Sequence, residues 1–382
     1  MNIVVLKFGG SSVSNNENLN LVADKILKFK KLEKKVVVIV SAQGKTTDKL
    51  IKEAYTLSKN PIKREMDMLI SVGEQISASK LAIVLNDKNE KAISLNSWQA
   101  KIKTDGNYQK AKIISIDKER IINELNLGKI VIITGFQGID NSNDINTLGR
   151  GGSDTTAVAI AHVLNAEKCY IFSDVDGVYS ADPKKISNAI KLNKISFNEM
   201  QDASFEGAKV LHDRCVMLAS KYNLPIISAS TFNNNEGSII SSENIEEEKI
   251  KTIIKNDNII IIKAKENHPY EIIKELNKKK IIFGNLVIKE NEVTFTILKN
   301  DLKDVEEILK EHIVLRINVS KVSIIGSGIS NNSKAINDII ETFELENKNI
   351  SLFEISAYKI SILFNKIIND QYISKLHEKL IT

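Results

Sequence analysis

Thr147 to Ile160 reads "TLGRGGSDTTAVAI". Three glycines surround one arginine, in a chain that has only 17 glycines among 382 residues. Ser153, Asp154 and a run rich in alanine and valine follow, with the pattern of a helix over Asp154 to Ala166. A helix N-terminus offers free N–H groups and the positive end of a dipole. Arg150 adds a planar fork suited to a carboxylate or a phosphate. A flexible loop before an N-capped helix would explain Ser153 and Asp154, but it gives no reason for Arg150 or the neighbouring glycines. The stretch is therefore read as an anion site where a helix starts at Ser153 or Asp154.

It follows the apolar run "KIVIITGF", one of a series. "NIVVLKF", "KVVVIVS", "KAISL", "CYIFSDV" and "LPIISAS" are equally short, continuous and β-branched. Such runs predict strands buried on both faces of a mostly parallel sheet. Helical patterns lie between them, at Leu19 to Lys31 and Ile116 to Leu127 among others, which predicts a layered α/β domain.

Near residue 233 the sequence turns polar and then acidic, and a domain boundary is placed at about 243 to 250. Beyond it an order of strand, helix, two strands, helix occurs twice, in copies about 65 residues apart. Each βαββα copy needs one more strand to complete a ferredoxin-like unit. With 382 residues, more than one domain is expected.

The composition, 42% hydrophobic and 26% charged, is that of a globular protein. The net charge of +5 is dispersed, without a basic block, which argues against nucleic-acid binding. "MNIVVLKFGG" lacks the pattern of a signal peptide, no apolar run is read as a membrane span, and a cytoplasmic location is expected. Cys169 and Cys215 are read as buried reduced thiols, and no histidine joins them at metal-ligand spacing.

Other motifs could carry chemistry. "KFGGSS" ends the first strand, where Gly9 and Gly10 permit close approach of phosphate oxygens and Lys7 supplies a cation, although those letters alone favour an ordinary glycine turn with a surface lysine. "VSAQGKTTDKL" sets Ser41 and Thr47 at the carboxyl end of the second strand, where ligands of open α/β sheets bind; Thr47 or Asp48 could also cap a helix. In "REMDMLISVGEQISASKLAIVL", Met66, Leu69, Val72, Ile76 and Ile83 form a stripe at helical spacing expected to face the core. Glu74 lies off it and could hold an ammonium group or be simply solvated. Gly73, unfavourable inside a helix, implies a close approach to the backbone. "FSDVDGVYSADPKK" offers Asp174, Tyr179 and Asp182 on two turns, and "EGAKVLHDR" sets Lys209 in a helical segment.

In this order the motifs resemble the amino acid kinase superfamily, and within it the aspartate kinases. The resemblance is carried by "KFGGSS", "VSAQGKTTDKL", "KREMDMLISVGEQ", "SWQAKIKT", "GFQG", "TLGRGGSDTTA", "SDVDGVYSADP" and "GAKVLH", and by the paired C-terminal units, similar to two regulatory ACT domains. It implies a three-layer sandwich around a mostly parallel sheet over 1–245, followed by ferredoxin-like ACT domains over 250–316 and 317–382. The activity implied is transfer of a phosphoryl group from MgATP to the side-chain carboxylate of L-aspartate.

Position by position, Lys7, Asp154 and Lys209 would be catalytic. Thr47, Glu74, Arg150, Gly151, Gly152 and Ser153 would bind aspartate, with Glu74 on its ammonium and Arg150 on its α-carboxylate. Lys7, Phe8, Gly9, Gly10, Ser41, Ser173, Asp174, Tyr179 and Lys184 would bind the nucleotide. Mg²⁺ would be held mainly by ATP and water, with no dedicated protein metal site. A homodimer, with lysine or threonine as effector, is also implied, while nucleic acid and membrane are not. A kinase of another small carboxylate and a non-catalytic amino-acid sensor are the alternatives. Ser11, Lys184, the "LHDR" turn and a "SASTF" strand without the usual arginine depart from the family pattern outside the proposed substrate clamp, and the C-terminal half departs much more.

Overall fold

The computed structural model describes residues 2–32, 34–242, 249–279 and 281–381. The chain forms two compact units, one of Met1–Val178 and Lys191–Ile245, the other of Tyr179–Ile190 and Glu246–Thr382. Most of the expected boundary at 243–250 lies outside the described residues. Tyr179–Ile190 departs from the expected catalytic span of 1–245 by belonging to the second unit.

In the first unit an eight-stranded sheet is centred on Ile3–Phe8, between Cys169–Ser173 and Lys35–Val40. Beyond Lys35–Val40 come Ile130–Thr134 and Ala92–Leu95, and beyond Cys169–Ser173 come Ile226–Ser230, Ser238–Ser241 and Lys194–Ser196. Only the pairing of Ile226–Ser230 with Ser238–Ser241 is antiparallel. All six apolar runs are strands of this sheet.

Their continuous apolar character follows from burial on both faces. Helices Asn16–Lys31 and Val72–Asp87 bring Leu19, Val22, Ile26, Leu81 and Leu85 onto the face formed by Val4, Leu6, Val36, Val38 and Ile132. Helix Gly152–Val163, buried from Thr155 to Ala161, packs on the sheet as well. The expected three-layer α/β sandwich is the one observed. A second, four-stranded sheet of Ile113–Ile116, Ile102–Thr104, Gln137–Ile139 and Ile145–Thr147 has no counterpart in the sequence reading. Ile116 is one of its strand residues, and the helix expected from that point runs over Glu119–Asn126.

The expected core stripe on "REMDMLISVGEQ" is corrected. Val72, Ile76 and Ile83 are 38%, 45% and 67% exposed, whereas Gly73, Glu74, Ser77, Ala78, Leu81 and Leu85 are buried. The helical run breaks at Ser71, and small residues after it allow close packing on the sheet side. Lys63–Asp87 is also long and apolar enough, by length and composition, to cross a membrane, contrary to the expectation that no run is. Half of its most apolar window is buried inside the protein, as in the core helix of a globular domain.

The second unit is a six-stranded antiparallel sheet in the order Phe283–Lys289, Glu292–Leu298, Lys249–Lys265, Ile313–Ser327, Lys359–Phe364, Ile350–Ser356. Its two central strands, 17 and 15 residues long, pair along their length with a register shift between Asn256 and Ile259. Each long strand therefore serves both βαββα copies. The first part of Lys249–Lys265 pairs with Lys321–Ser327 and supplies the strand that the second copy lacks. Helices Pro269–Lys278 and Leu302–Leu309 close one core, and Ser333–Thr342 and Asp370–Leu380 close the other. Ala181 and Ile186 are buried in the latter core, and Ser180 Oγ is 2.8 Å from His377 Nε2.

Candidate active site

Parallel register brings Phe8, Val40, Thr134 and Phe172 to one edge of the first unit's sheet. Turns leaving that edge converge on a cavity of about 660 Å³, lined among others by Lys7, Gly10, Ser41, Thr47, Glu74, Gln109, Phe136, Thr147 and Gly149 to Asp154. Its position outside the carboxyl ends of the strands is the usual ligand site of open α/β sheets.

Lys7 is the fifth residue of an otherwise apolar strand, and is 8% exposed. Its Nζ lies 2.6 Å from Asp154 Oδ1, and the two side chains are 10% and 15% exposed. The cation is thus fixed by a carboxylate in surroundings of low dielectric, where a charge acts strongly on its neighbours.

Glu74 is buried on helix Val72–Asp87. Its Oε1 accepts the Ala42 N–H at 2.9 Å, while Oε2 is buried without a partner among the described residues. Burial pushes its carboxyl up to about 8, against the opposing pull of the Ala42 N–H. A buried carboxylate oxygen facing a cavity without a donor fits an incoming ammonium group. Simple solvation of Glu74 is excluded. The close approach inferred at Gly73 comes from the protein itself: a Cβ there would stand 2.7 Å from Ala42 Cβ.

The glycine-rich stretch is shaped by what surrounds it. Helix Gly152–Val163 begins at Gly152, with Gly151 as N-cap and no side-chain capping bond, so the expected start at Ser153 or Asp154 moves back. Gly151 has φ +67°, and a Cβ there would lie 2.3 Å from His212 Cγ; both facts require glycine. Ser153 and Asp154 fall in the first turn, at the positive end of the helix. Arg150 is exposed on the cavity wall and makes no hydrogen bond or ion pair among the described residues.

Other expected residues contribute differently. Thr47 lines the cavity, but neither Thr47 nor Asp48 caps its helix, Thr46–Leu57, whose N-cap is Lys45. The Phe8 ring is in the core, stacked on Phe172 at 5.0 Å, and the Gly9 N–H is engaged by the Phe172 carbonyl at 3.1 Å. Ser173 and Asp174 lie in the first unit and Tyr179 and Lys184 in the second. Lys209 is not helical as expected: the preceding helix ends at Glu206, with Gly207 at φ 114° as its cap, and Lys209 is exposed in the turn beyond, outside the cavity lining. Burial pushes the thiols of Cys169 and Cys215 upward, which leaves them unreactive.

The sequence reading missed Gln109, Phe136, Asp67 and Arg214. Gln109 and Phe136 line the cavity at φ +67° and +70°, where residues other than glycine are uncommon. Asp67 is fully buried and accepts from the Gln109 N–H, the Thr147 N–H and Thr147 Oγ1. A carboxylate inside an apolar helical stretch was the one available signal for it.

A cavity at the carboxyl ends of parallel strands, holding a fixed cation, a helix N-terminus, an unsatisfied carboxylate and a free guanidinium, is the site of an α/β enzyme. The sequence profile described as the amino acid kinase family matches residues 2–230. An aspartokinase of Geobacillus stearothermophilus is 38% identical, over 99% of this chain and 97% of its own. One of Bacillus sp. (strain MGA3) is 36% identical with the same coverage. Escherichia coli aspartokinase III, solved in complex with aspartate and ADP, superposes with a TM-score of 0.82 at 21% identity, covering all of both chains. The chain belongs to the amino acid kinase family, and within it to the aspartokinases.

Proposed function

We propose that this protein is an ATP-dependent aspartate kinase, which transfers the γ-phosphoryl group to the side-chain carboxylate of L-aspartate and gives 4-phospho-L-aspartate, the first step toward lysine, threonine and methionine. The observation that carries the reading is one cavity lined by Glu74, with its unpartnered buried oxygen, by the unpaired Arg150 and by the Lys7–Asp154 pair. Glu74 takes the ammonium of aspartate and Arg150 its α-carboxylate, while Thr47, Gly151, Gly152 and Ser153 shape the wall. The acceptor carboxylate is already ionised at neutral pH, so no general base is needed. Alignment and neutralisation of charge remain, and Lys7 supplies the cation where charge moves. Lys209 adds positive charge from its turn.

Ser41, Ser173, Asp174 and the Phe8–Gly10 turn form the nucleotide side within the first unit. Among the described residues no group of three or more His, Cys, Asp or Glu is placed to hold a metal ion. Mg²⁺ would be held mainly by ATP oxygens and water, with Asp154 on the cavity wall the carboxylate that could contribute.

Residues 1–245 are proposed as the catalytic part, and 250–316 and 317–382 as ACT-like domains of a cytoplasmic homodimer. Escherichia coli aspartokinase III has also been solved with lysine and aspartate. Lysine, alone or with threonine, is the proposed effector here; at millimolar concentration it is expected to inhibit, and absence of both inhibition and binding would remove the proposal.

Arg150→Ala tests the substrate clamp. Loss of an unshared charged hydrogen bond of this kind costs roughly 1.5–3 kcal/mol. The aspartate KM is expected to rise by about ten- to a hundredfold, with little change in the ATP KM. Equal rises in both would assign the arginine to the nucleotide.

A further inference from the structure

Two strips of backbone, Gln109 to Ala111 and Thr147 to Arg150, bring Gln109, Thr147, Gly149 and Arg150 to the cavity lining. The Ala111 N–H donates to the Thr147 carbonyl at 3.0 Å. Two side chains from separate helices tie them together. From helix Lys63–Ile70, Asp67 Oδ2 accepts the Gln109 N–H at 2.9 Å and the Thr147 N–H at 2.8 Å, and Oδ1 accepts from Thr147 Oγ1 at 2.7 Å. From helix Asp213–Lys221, Arg214 donates to the Leu148 carbonyl at 2.8 Å and the Ala111 carbonyl at 2.9 Å.

Asp67 is 0% exposed and is not among the residues lining the cavity. Its three bonds end on the two strips that do line it. One of them holds Gln109 at φ +67°, a conformation a non-glycine residue adopts only where its surroundings impose it. The carbonyl of Gln109 in turn packs on Gly149, which precedes Arg150: a Cβ at Gly149 would lie 2.9 Å from it. Asp67, Gln109, Gly149 and Arg150 thus form a continuous chain of contacts.

We infer that Asp67 is a positioning residue for aspartate recognition: it touches no substrate, but through the Gln109 and Thr147 backbone it fixes the wall from which Arg150 reaches the cavity. The inference rests on the assignment of this cavity to aspartate. It also ascribes the left-handed conformation of Gln109 to the Asp67 tether, so glycine at 109, which adopts that conformation freely, should recover part of what loss of the tether removes.

The test uses the full-length enzyme and measures both KM values and kcat. Asp67→Ala is expected to raise the aspartate KM about tenfold, with the ATP KM within about twofold. Asp67→Asn, whose amide oxygen still accepts both N–H bonds, should stay within about threefold of wild type. Adding Gln109→Gly to Asp67→Ala should bring the aspartate KM back by about threefold or more. If Asp67→Ala does not fold, Thr147→Val removes only the hydroxyl bond, and should raise the aspartate KM about two- to fivefold.

A folded Asp67→Ala with an unchanged aspartate KM, or with both KM values rising in parallel, overturns the inference, as does an unchanged aspartate KM in Thr147→Val. Wild-type enzyme assayed alongside separates the two levels. A wild type that does not phosphorylate aspartate defeats the functional reading and this inference with it. An active wild type with an insensitive Asp67→Ala defeats the inference alone.

Discussion

Lys7→Ala lowers kcat by about 10²–10³, the loss typical of deleting one preorganised charge-stabilising group, and changes the aspartate KM by less than about threefold. The expectation follows from where the ammonium is held. It is nearly buried, 2.6 Å from Asp154 Oδ1, beside the first turn of helix Gly152–Val163. A cation fixed in that way needs no reorganisation as charge moves, so it stabilises the transition state more than the bound substrate. Removing one partner of a mostly buried pair also leaves the other charge uncompensated, so some loss of stability accompanies the loss of rate. Lys7→Ala combined with Asp154→Ala distinguishes the two effects. If the residues act as a unit, the double variant is about as slow as the single one and more stable. A Lys7→Ala enzyme within about threefold of wild-type kcat would contradict the assignment.

Glu74→Gln removes aspartate recognition while stabilising the empty enzyme. Breaking a buried ionic contact costs about 3–5 kcal/mol, so kcat/KM for aspartate is expected to fall by about 10²–10³ or more at pH 8. The wild-type pH profile carries the same information. Burial pushes the Glu74 carboxyl up to about 8, so below that pH it is protonated and cannot pair with an ammonium. kcat/KM for aspartate should therefore climb about tenfold per pH unit toward 8 and then level off, and Glu74→Gln should lack that limb. For stability the sign is reversed. The folded state holds a proton that the unfolded state releases above the ordinary glutamate value of 4.5, so this group's contribution declines between 4.5 and about 8. Glutamine removes that decline, and the Tm at pH 8 is expected to rise by roughly 2–5 °C. A flat wild-type kcat/KM profile between pH 6 and 8 would show that Glu74 is ionised throughout that range, and a Glu74→Gln variant with an unchanged aspartate KM would show that it does not bind the ammonium.

What could be read from the sequence was local. Strands such as "NIVVLKF" and "KVVVIV" are apolar at nearly every position because helices cover both faces, and that leaves a pattern in consecutive letters. The cation–helix–arginine cluster was equally legible, since Lys7 stands next to last in its strand and Arg150 to Asp154 are contiguous. The stripe on Val72–Asp87 was misread because small residues, not large ones, face the sheet there, with Gly73 pressed against Ala42. The role of Asp67 could not be read, although a carboxylate in an apolar helical stretch was a signal, because its partners stand 42 and 80 residues away and are brought to it by the unforeseen four-stranded sheet. The carbonyls that anchor Arg214 are 66 and 103 residues distant. The second unit's long shared strands were hidden for a related reason: each serves two repeats, so a division by repeat cuts through them.

The most direct measurement is chemical trapping of the product. Purified protein with MgATP and L-aspartate in hydroxylamine should form aspartyl hydroxamate, one for each ADP released and only when both substrates are present, because an acyl phosphate is intercepted by the amine. Release of ADP without hydroxamate, or hydroxamate from another small carboxylate in preference to aspartate, would contradict the assignment of this cavity to aspartate.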